Sequence, residues 1–213
     1  MSTTVAILGK SGSGKSASLR NLDPTQTFLI QAIAKPLPFR APAWRTGKGG
    51  NIWVNDDATK IGELLPKIPH PIIVIDDFQY IMANQFMRRV YETGFQKFND
   101  IARDAWQLFT TANSLPGDKR IYILSHTDTD DQGFSKMKTL GRLLDDKVTL
   151  EGMVTICLHT VAQDGKYLFS TQTSGMNTCK SPMGMFEGDT IENDLAFVDR
   201  AIVDYYSPVA KAA

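Results

Sequence analysis

One octapeptide limits what this chain can fold into more than any other feature. Gly9-Lys10-Ser11-Gly12-Ser13-Gly14-Lys15-Ser16 meets the pattern G-x-x-x-x-G-K-[ST] at every position. The apolar run Val5-Ala6-Ile7-Leu8 leads into it, and Lys15 to Asn21 can open a helix behind it. A buried strand, a glycine-rich turn and a helix in that order let successive backbone N–H groups converge on one anion. The helix start adds partial positive charge. The loop Gly9 to Ser16 is therefore expected to hold a polyphosphate. Lys15 would reach the outer phosphates, and the Ser16 hydroxyl would ligate Mg²⁺. A merely flexible glycine–serine turn is the competing reading, and the flanking strand and helix speak against it.

The rest of the chain alternates strand and helix signals. Thr27-Phe28-Leu29-Ile30 and Asn51-Ile52-Trp53-Val54 read as strands. Lys35 to Gly50, with Pro36, Pro38, Pro42 and three glycines, reads as a loop carrying Phe39 and Trp44. A helix is expected from Ala58 to Leu65, before Pro66. Ile72-Ile73-Val74-Ile75 is the strongest buried-strand signal. Behind it, apolar positions from Ile81 to Ala112 predict two helices or one kinked at Gly94, ending at Leu115-Pro116-Gly117-Asp118. Ile121 to Leu124 predicts a strand closing on Ser125-His126, and residues 127–139 read as a polar, mobile loop. Val154–His159 and Tyr167–Thr171, around Gln163-Asp164-Gly165-Lys166, predict a β-hairpin. A last helix opens at Asn193 or Asp194, with Leu195, Val198, Ile202 and Tyr205 on one face. This succession predicts one α/β domain over residues 1–213: a mostly parallel sheet with helices on both faces, then a C-terminal hairpin and helix. Ligands are expected at the carboxyl ends of the strands.

Three further elements carry chemistry. Asp76 and Asp77 end the Ile72–Ile75 strand, 61 residues after Lys15. If that strand lies beside the phosphate-loop strand, Asp76 falls at the metal of a bound nucleotide, acting through a water of its outer shell. Asp77 then stands where a carboxylate can orient the attacking water, with a helix N-cap as its alternative and Asp56 and Asp57 as rivals for the role. His126 is expected as a sensor of the terminal phosphate, able to pass its signal to the following loop, or else as an ordinary strand-end residue. That loop holds Phe134, Lys136 and Lys138 but also Asp128, Asp130 and Asp131, more acid than a DNA-contacting loop favours. Lys180 and Arg142 are candidates for a cation supplied to a neighbouring subunit's phosphates, with simple solvation as the alternative.

Composition narrows the classes further. The 213 residues hold 23 basic and 23 acidic side chains, so no overall charge draws the chain to nucleic acid or membranes. The distribution is uneven: residues 1–50 carry seven basic residues against Asp23 alone, while six acids face Arg200 and Lys211 from Glu187 onward. A basic amino-terminal region suits an anion-binding end of a domain. Two cysteines without metal-type spacing predict a reduced, cytosolic protein. No apolar run approaches the ~20 residues of a membrane span, and the amino terminus lacks a signal-peptide pattern. A small nucleotide kinase ranks lower, because the arginines after Arg45 form no glycine-flanked cluster able to clamp a transferred phosphoryl group.

With the phosphate loop, the Val74-Ile75-Asp76-Asp77 strand end and Ser125-His126 in place, the chain resembles the bacteriophage-encoded AAA-type P-loop ATPases. The resemblance spans nearly its full length. It takes in Lys35-Pro36-Leu37-Pro38-Phe39, the hairpin, Lys180-Ser181-Pro182-Met183-Gly184-Met185-Phe186 and the closing helix. More distantly the chain is similar to the RecA-core proteins that phages use for single-strand annealing. That resemblance implies a RecA-like or AAA-like core, ATP and Mg²⁺ as ligands, and ATP-dependent work on single-stranded DNA in recombination or replication. It also implies homo-oligomeric assembly, cooperation with a single-strand-binding protein, and the host cytoplasm as location. Lys15, Ser16 and Asp76 match the family's nucleotide motifs, and His126 falls at its polar phosphate sensor. A nucleotide-controlled assembly scaffold with little turnover is the alternative function.

Overall fold

A computed structural model describes residues 1–207. Lys211, counted above in the acidic terminal stretch, lies outside them. The strands are β1 (Thr3–Leu8), β2 (Thr27–Gln31), β3 (Ile52–Val54), β4 (Ile72–Asp76), β5 (Arg120–Ser125), β6 (Thr127–Thr129), β7 (Ser135–Met137), β8 (Ile156–Gln163), β9 (Lys166–Ser170) and β10 (Thr190–Glu192). The helices are α1 (Ala58–Leu64), α2 (Gln79–Arg88), α3 (Gln96–Ser114) and α4 (Leu195–Tyr206). Eight strands form one sheet in the order β10-β9-β8-β1-β5-β4-β2-β3, and β6 and β7 form a separate ribbon. The six strands from β8 to β3 are parallel, and β9 alone runs against them, pairing antiparallel with β8 and with β10. The mixed, mostly parallel architecture expected from the alternating pattern is present.

Strand periodicity divides the core. Ala6, Leu8, Ile73, Ile75, Ile121 and Ile123 point to the face covered by α1, α2 and α3. Val5, Ile7, Val74, Tyr122 and Leu124 point to the other face. That face is covered more thinly, by Leu19 and Leu22 behind the phosphate loop and by Leu195, Val198 and Ile202 of α4. Leu37, Phe39 and Trp44 of the proline-rich loop close its margin, with Phe39 and Trp44 in an edge-to-face contact at 6.3 Å.

Four expectations need correction. β4 is not the neighbour of β1, because β5 pairs with both and lies between them. The segment behind the phosphate loop is a six-residue 3₁₀ helix, Ser16–Asn21. There Ser18 N–H donates to both Gly14 and Lys15 carbonyls, and Asp23-Pro24 stops the chain before an α-helix develops. Residues 127–139 are not a free loop: β6 pairs with β7 through a turn in which Asp130 Oδ1 accepts from Gln132 and Phe134 N–H. Finally, the hairpin strands run further than predicted and meet at a two-residue turn. Asp164 and Gly165 have φ +52° and +73°, which fits a turn whose twist matches its strands. The short strand β10 and the π-type turn Leu143–Lys147 carry no clear sequence signal. Gly94 does separate α2 from α3, as the interruption predicts.

Candidate functional site

The phosphate-loop residues stand at the carboxyl end of β1. Gly9 leaves the sheet against β8, and a Cβ there would lie 1.8 Å from Thr160 Oγ1, so only glycine fits. Gly14 has φ +99°, a conformation that side-chain-bearing residues rarely adopt, and it packs against Tyr167 and Asn193. Lys15 folds back under the loop: its Nζ donates to the carbonyls of Gly9 at 2.8 Å and Lys10 at 2.9 Å. Burial lowers its pKa to about 8, with Asp77 and Asp76 opposing the shift.

A cleft of about 470 Å³ runs along this edge, lined by Ser11, Gly12, Gly14, Lys15, Ser16 and Ala17 on one side and by Lys35, Pro36, Asp77 and His126 on the other. Tyr167 and Pro38 complete its wall. Ser13 and Lys10 face a second groove of about 350 Å³ on the far side of the loop, with His159 and Thr160. The loop thus separates two openings, and the one that collects charged side chains is the first.

The loop and the acidic strand end meet directly. Ser16 Oγ lies 2.9 Å from Asp76 Oδ2 and 3.1 Å from Oδ1, although β5 separates their strands. Asp76 is fully buried, and burial, followed by the neighbouring Asp77, pushes its pKa up to about 6. Its only side-chain hydrogen-bond donor among the described residues is one serine hydroxyl, an under-compensated environment for a carboxylate. Such a carboxylate beside a hydroxyl fits a divalent cation of the Mg²⁺ type, which takes few protein ligands and completes its shell with water and phosphate oxygens. No cluster of three or more His, Cys, Asp or Glu side chains suited to an all-protein metal cage occurs among the described residues.

Asp77 is the second carboxylate of the cleft. Its φ is +61°, and its side chain is 4% exposed. It does not cap α2, whose N-cap position is Phe78 with no side-chain cap bond. Instead Lys35 Nζ forms an ion pair with its Oδ2, and His126 Nε2 lies 3.8 Å from its Oδ1. The rival carboxylates are engaged elsewhere. Asp57 caps α1 through Thr59 and Lys60 N–H, and Asp56 pairs with Arg88 and Asn84. His126 is half-buried, edge-on to Tyr80 at 6.2 Å, and burial followed by Lys15 lowers its pKa. The shift favours its neutral form.

Lys180 and Arg142 are not brought to this cleft. Lys180 exchanges backbone hydrogen bonds with Cys157, and Arg142 is exposed at the start of the π-type turn. Three participants lack a role in the sequence reading. Lys35 has a visible cue, since a lysine four residues past a strand and directly before Pro36-Leu37-Pro38 is held in a stiffened loop. Tyr167 is part of the hairpin signal but nothing there marks it as a cleft wall. Gln79 has no cue: its Oε1 accepts from His126 N–H at 3.1 Å and so fixes the turn carrying the histidine.

No protein-family model matches the chain, and no curated protein is significantly similar to it.

Proposed function

We propose that the protein binds and hydrolyses a Mg²⁺-bound nucleoside triphosphate at the Ser11–Tyr167 cleft. ATP is the nucleotide that the resemblance implies. The observation that carries this reading is the Ser16–Asp76 contact, because it joins two separately recognised motifs into one polar site. Gly9 to Ser16 supply backbone N–H groups and Lys15 its ammonium to the phosphate tail. Ser16 and Asp76 would hold the cation, which would supply charge neutralisation at the outer phosphates. Asp77 orients water, and His126 beside it responds to the terminal phosphate. The six-residue 3₁₀ segment contributes little helix dipole, so loop amides and Lys15 carry the anion.

The wider role follows the same resemblance: work on single-stranded DNA in phage recombination or replication, as a homo-oligomer beside a single-strand-binding protein, in the host cytoplasm. In that assembly Lys180 or Arg142 would serve a neighbour's cleft. No helix among the described residues is long and apolar enough to cross a membrane. A phosphoryl-transferring kinase is disfavoured, since no arginine lines the cleft to clamp a transferred group.

An ATPase assay with and without single-stranded DNA at low salt tests both levels. Hydrolysis stimulated by DNA and lost in Lys15→Ala, with an unchanged circular dichroism spectrum, is the expected result. Activity retained in that variant overturns the assignment. A low rate unaffected by DNA, with a nucleotide-dependent change in mass, favours the scaffold function instead.

A further inference from the structure

Lys15, Lys35 and Asp77 line the cleft beside His126, and the fully buried Asp76 lies behind Ser16. The two lysines stand in different environments. Lys15 is buried and committed to the Gly9 and Lys10 carbonyls. The Lys35 side chain is 39% exposed, and its ammonium has Asp77 as its one ion-pair partner. Its backbone is held at both ends: Gln31 Nε2 donates to the Lys35 carbonyl at 3.2 Å, and Pro36 and Pro38 stiffen the chain that follows. Lys35 is thus a partly exposed cation on an anchored backbone, paired with Asp77 at the rim of the cleft.

Its position along the cleft is specific. In sheet order, Tyr167 on β9 marks one end, and Asp77 after β4 with His126 after β5 marks the other. Ser16 and Asp76 lie toward the second end. Residues that would hold a cation there would draw the outer phosphates of a triphosphate toward the Asp77 end of the cleft. A terminal phosphate carries more negative charge than one carboxylate, and it would stand against Asp77 with no other uncommitted cation lining the cleft.

Resting on the nucleotide reading above, we propose that Lys35 is a second phosphate-binding cation, held by Asp77 and handed to the terminal phosphate of a triphosphate, which frees Asp77 as that phosphate arrives. A diphosphate ends before this part of the cleft and leaves the Lys35–Asp77 pair intact. Lys35 therefore discriminates triphosphate from diphosphate, whereas Lys15 serves both. No covalent step is involved, only an exchange of ion-pair partners.

Equilibrium binding of a nonhydrolysable ATP analogue and of ADP, each with Mg²⁺, tests this directly. Lys35→Met is expected to weaken the triphosphate analogue about tenfold and leave ADP unchanged, while Lys15→Met weakens both. Because Lys35→Met leaves Asp77 buried without its partner, the double variant Lys35→Met/Asp77→Asn provides a neutral pair, and it too is expected to lose the discrimination. Lys35→Arg is expected to keep it. Unchanged analogue binding in Lys35→Met and the double variant, or equal weakening of both nucleotides, overturns the proposal while leaving the nucleotide site standing. Failure of the wild-type protein to bind either nucleotide overturns the nucleotide reading itself, and this proposal with it.

Discussion

Two carboxylates are buried against the same face of the sheet, and their surroundings differ sharply. Asp199, on α4, meets the amino-terminal half of β5: Arg120 Nε and Nη2 each donate to it at 2.9 Å, and Tyr122 OH donates at 2.7 Å. Asp76, at the carboxyl end of β4, has the Ser16 hydroxyl alone. The first arrangement is complete, with a bidentate guanidinium and a phenol meeting the acceptor oxygens. The second retains unused acceptor capacity and a pKa pushed up to about 6. One end of the sheet is closed by internal pairing, and the other keeps a buried carboxylate with unused acceptor capacity. That polarity follows from parallel strands, whose carboxyl ends carry the loops that can open toward a ligand.

The comparison can be broken most sharply at Asp199. Asp199→Ala strands a guanidinium and a phenol under α4, and a loss of about 3–5 kcal/mol is expected in urea unfolding. A loss below 1 kcal/mol would mean that α4 is held by its apolar face alone. At the other end the sign reverses. Folded Asp76 keeps its proton to about pH 6, whereas an unfolded chain releases it near the ordinary value of 3.8. Between these pH values the folded chain binds more protons, so stability falls as pH rises from about 4 to about 6. A shift of about two units corresponds to roughly 3 kcal/mol. Asp76→Asn should therefore be more stable than wild type by about 1–3 kcal/mol at pH 7 and equal to it near pH 4. A destabilised variant at pH 7 would sink the contrast.

Smaller effects sharpen it. Saturating Mg²⁺ with nucleotide is expected to raise the wild-type melting temperature by several degrees, and Asp76→Asn should lose most of that shift. Equal shifts in both proteins would move the cation away from Asp76. Tyr122→Phe removes one donor from Asp199 while Arg120 remains, and a cost of about 1 kcal/mol is expected. A neutral result would show that the guanidinium satisfies the carboxylate unaided.

How much of this was legible depended on distance along the chain. The glycine-rich turn after β1, the strand begun by Ile72–Ile75 and the hairpin turning at Asp164-Gly165 are local patterns, and each is present, although the hairpin strands have bounds other than the predicted ones. The pairing of β5 between β1 and β4 has no local signature, since Ile72–Ile75 and Ile121–Leu124 are equally apolar and suit either position. Lys35 shows the same limit. A proline-stiffened loop is visible from its residues, but its ammonium meets Asp77 only because β2 lies beside β4.

The residues alone determined that a glycine-rich loop follows a strand, that two carboxylates end another, and that strands alternate with helices. Those features are written in steric and hydrophobic periodicities spanning a few residues. Only the tertiary structure decided that Ser16 reaches Asp76, that Asp77 takes Lys35 instead of capping a helix, and that Asp199 is fully paired while Asp76 is not. Each of these depends on which strands neighbour one another and on how deeply they lie, and burial and charge balance are properties of the assembled sheet.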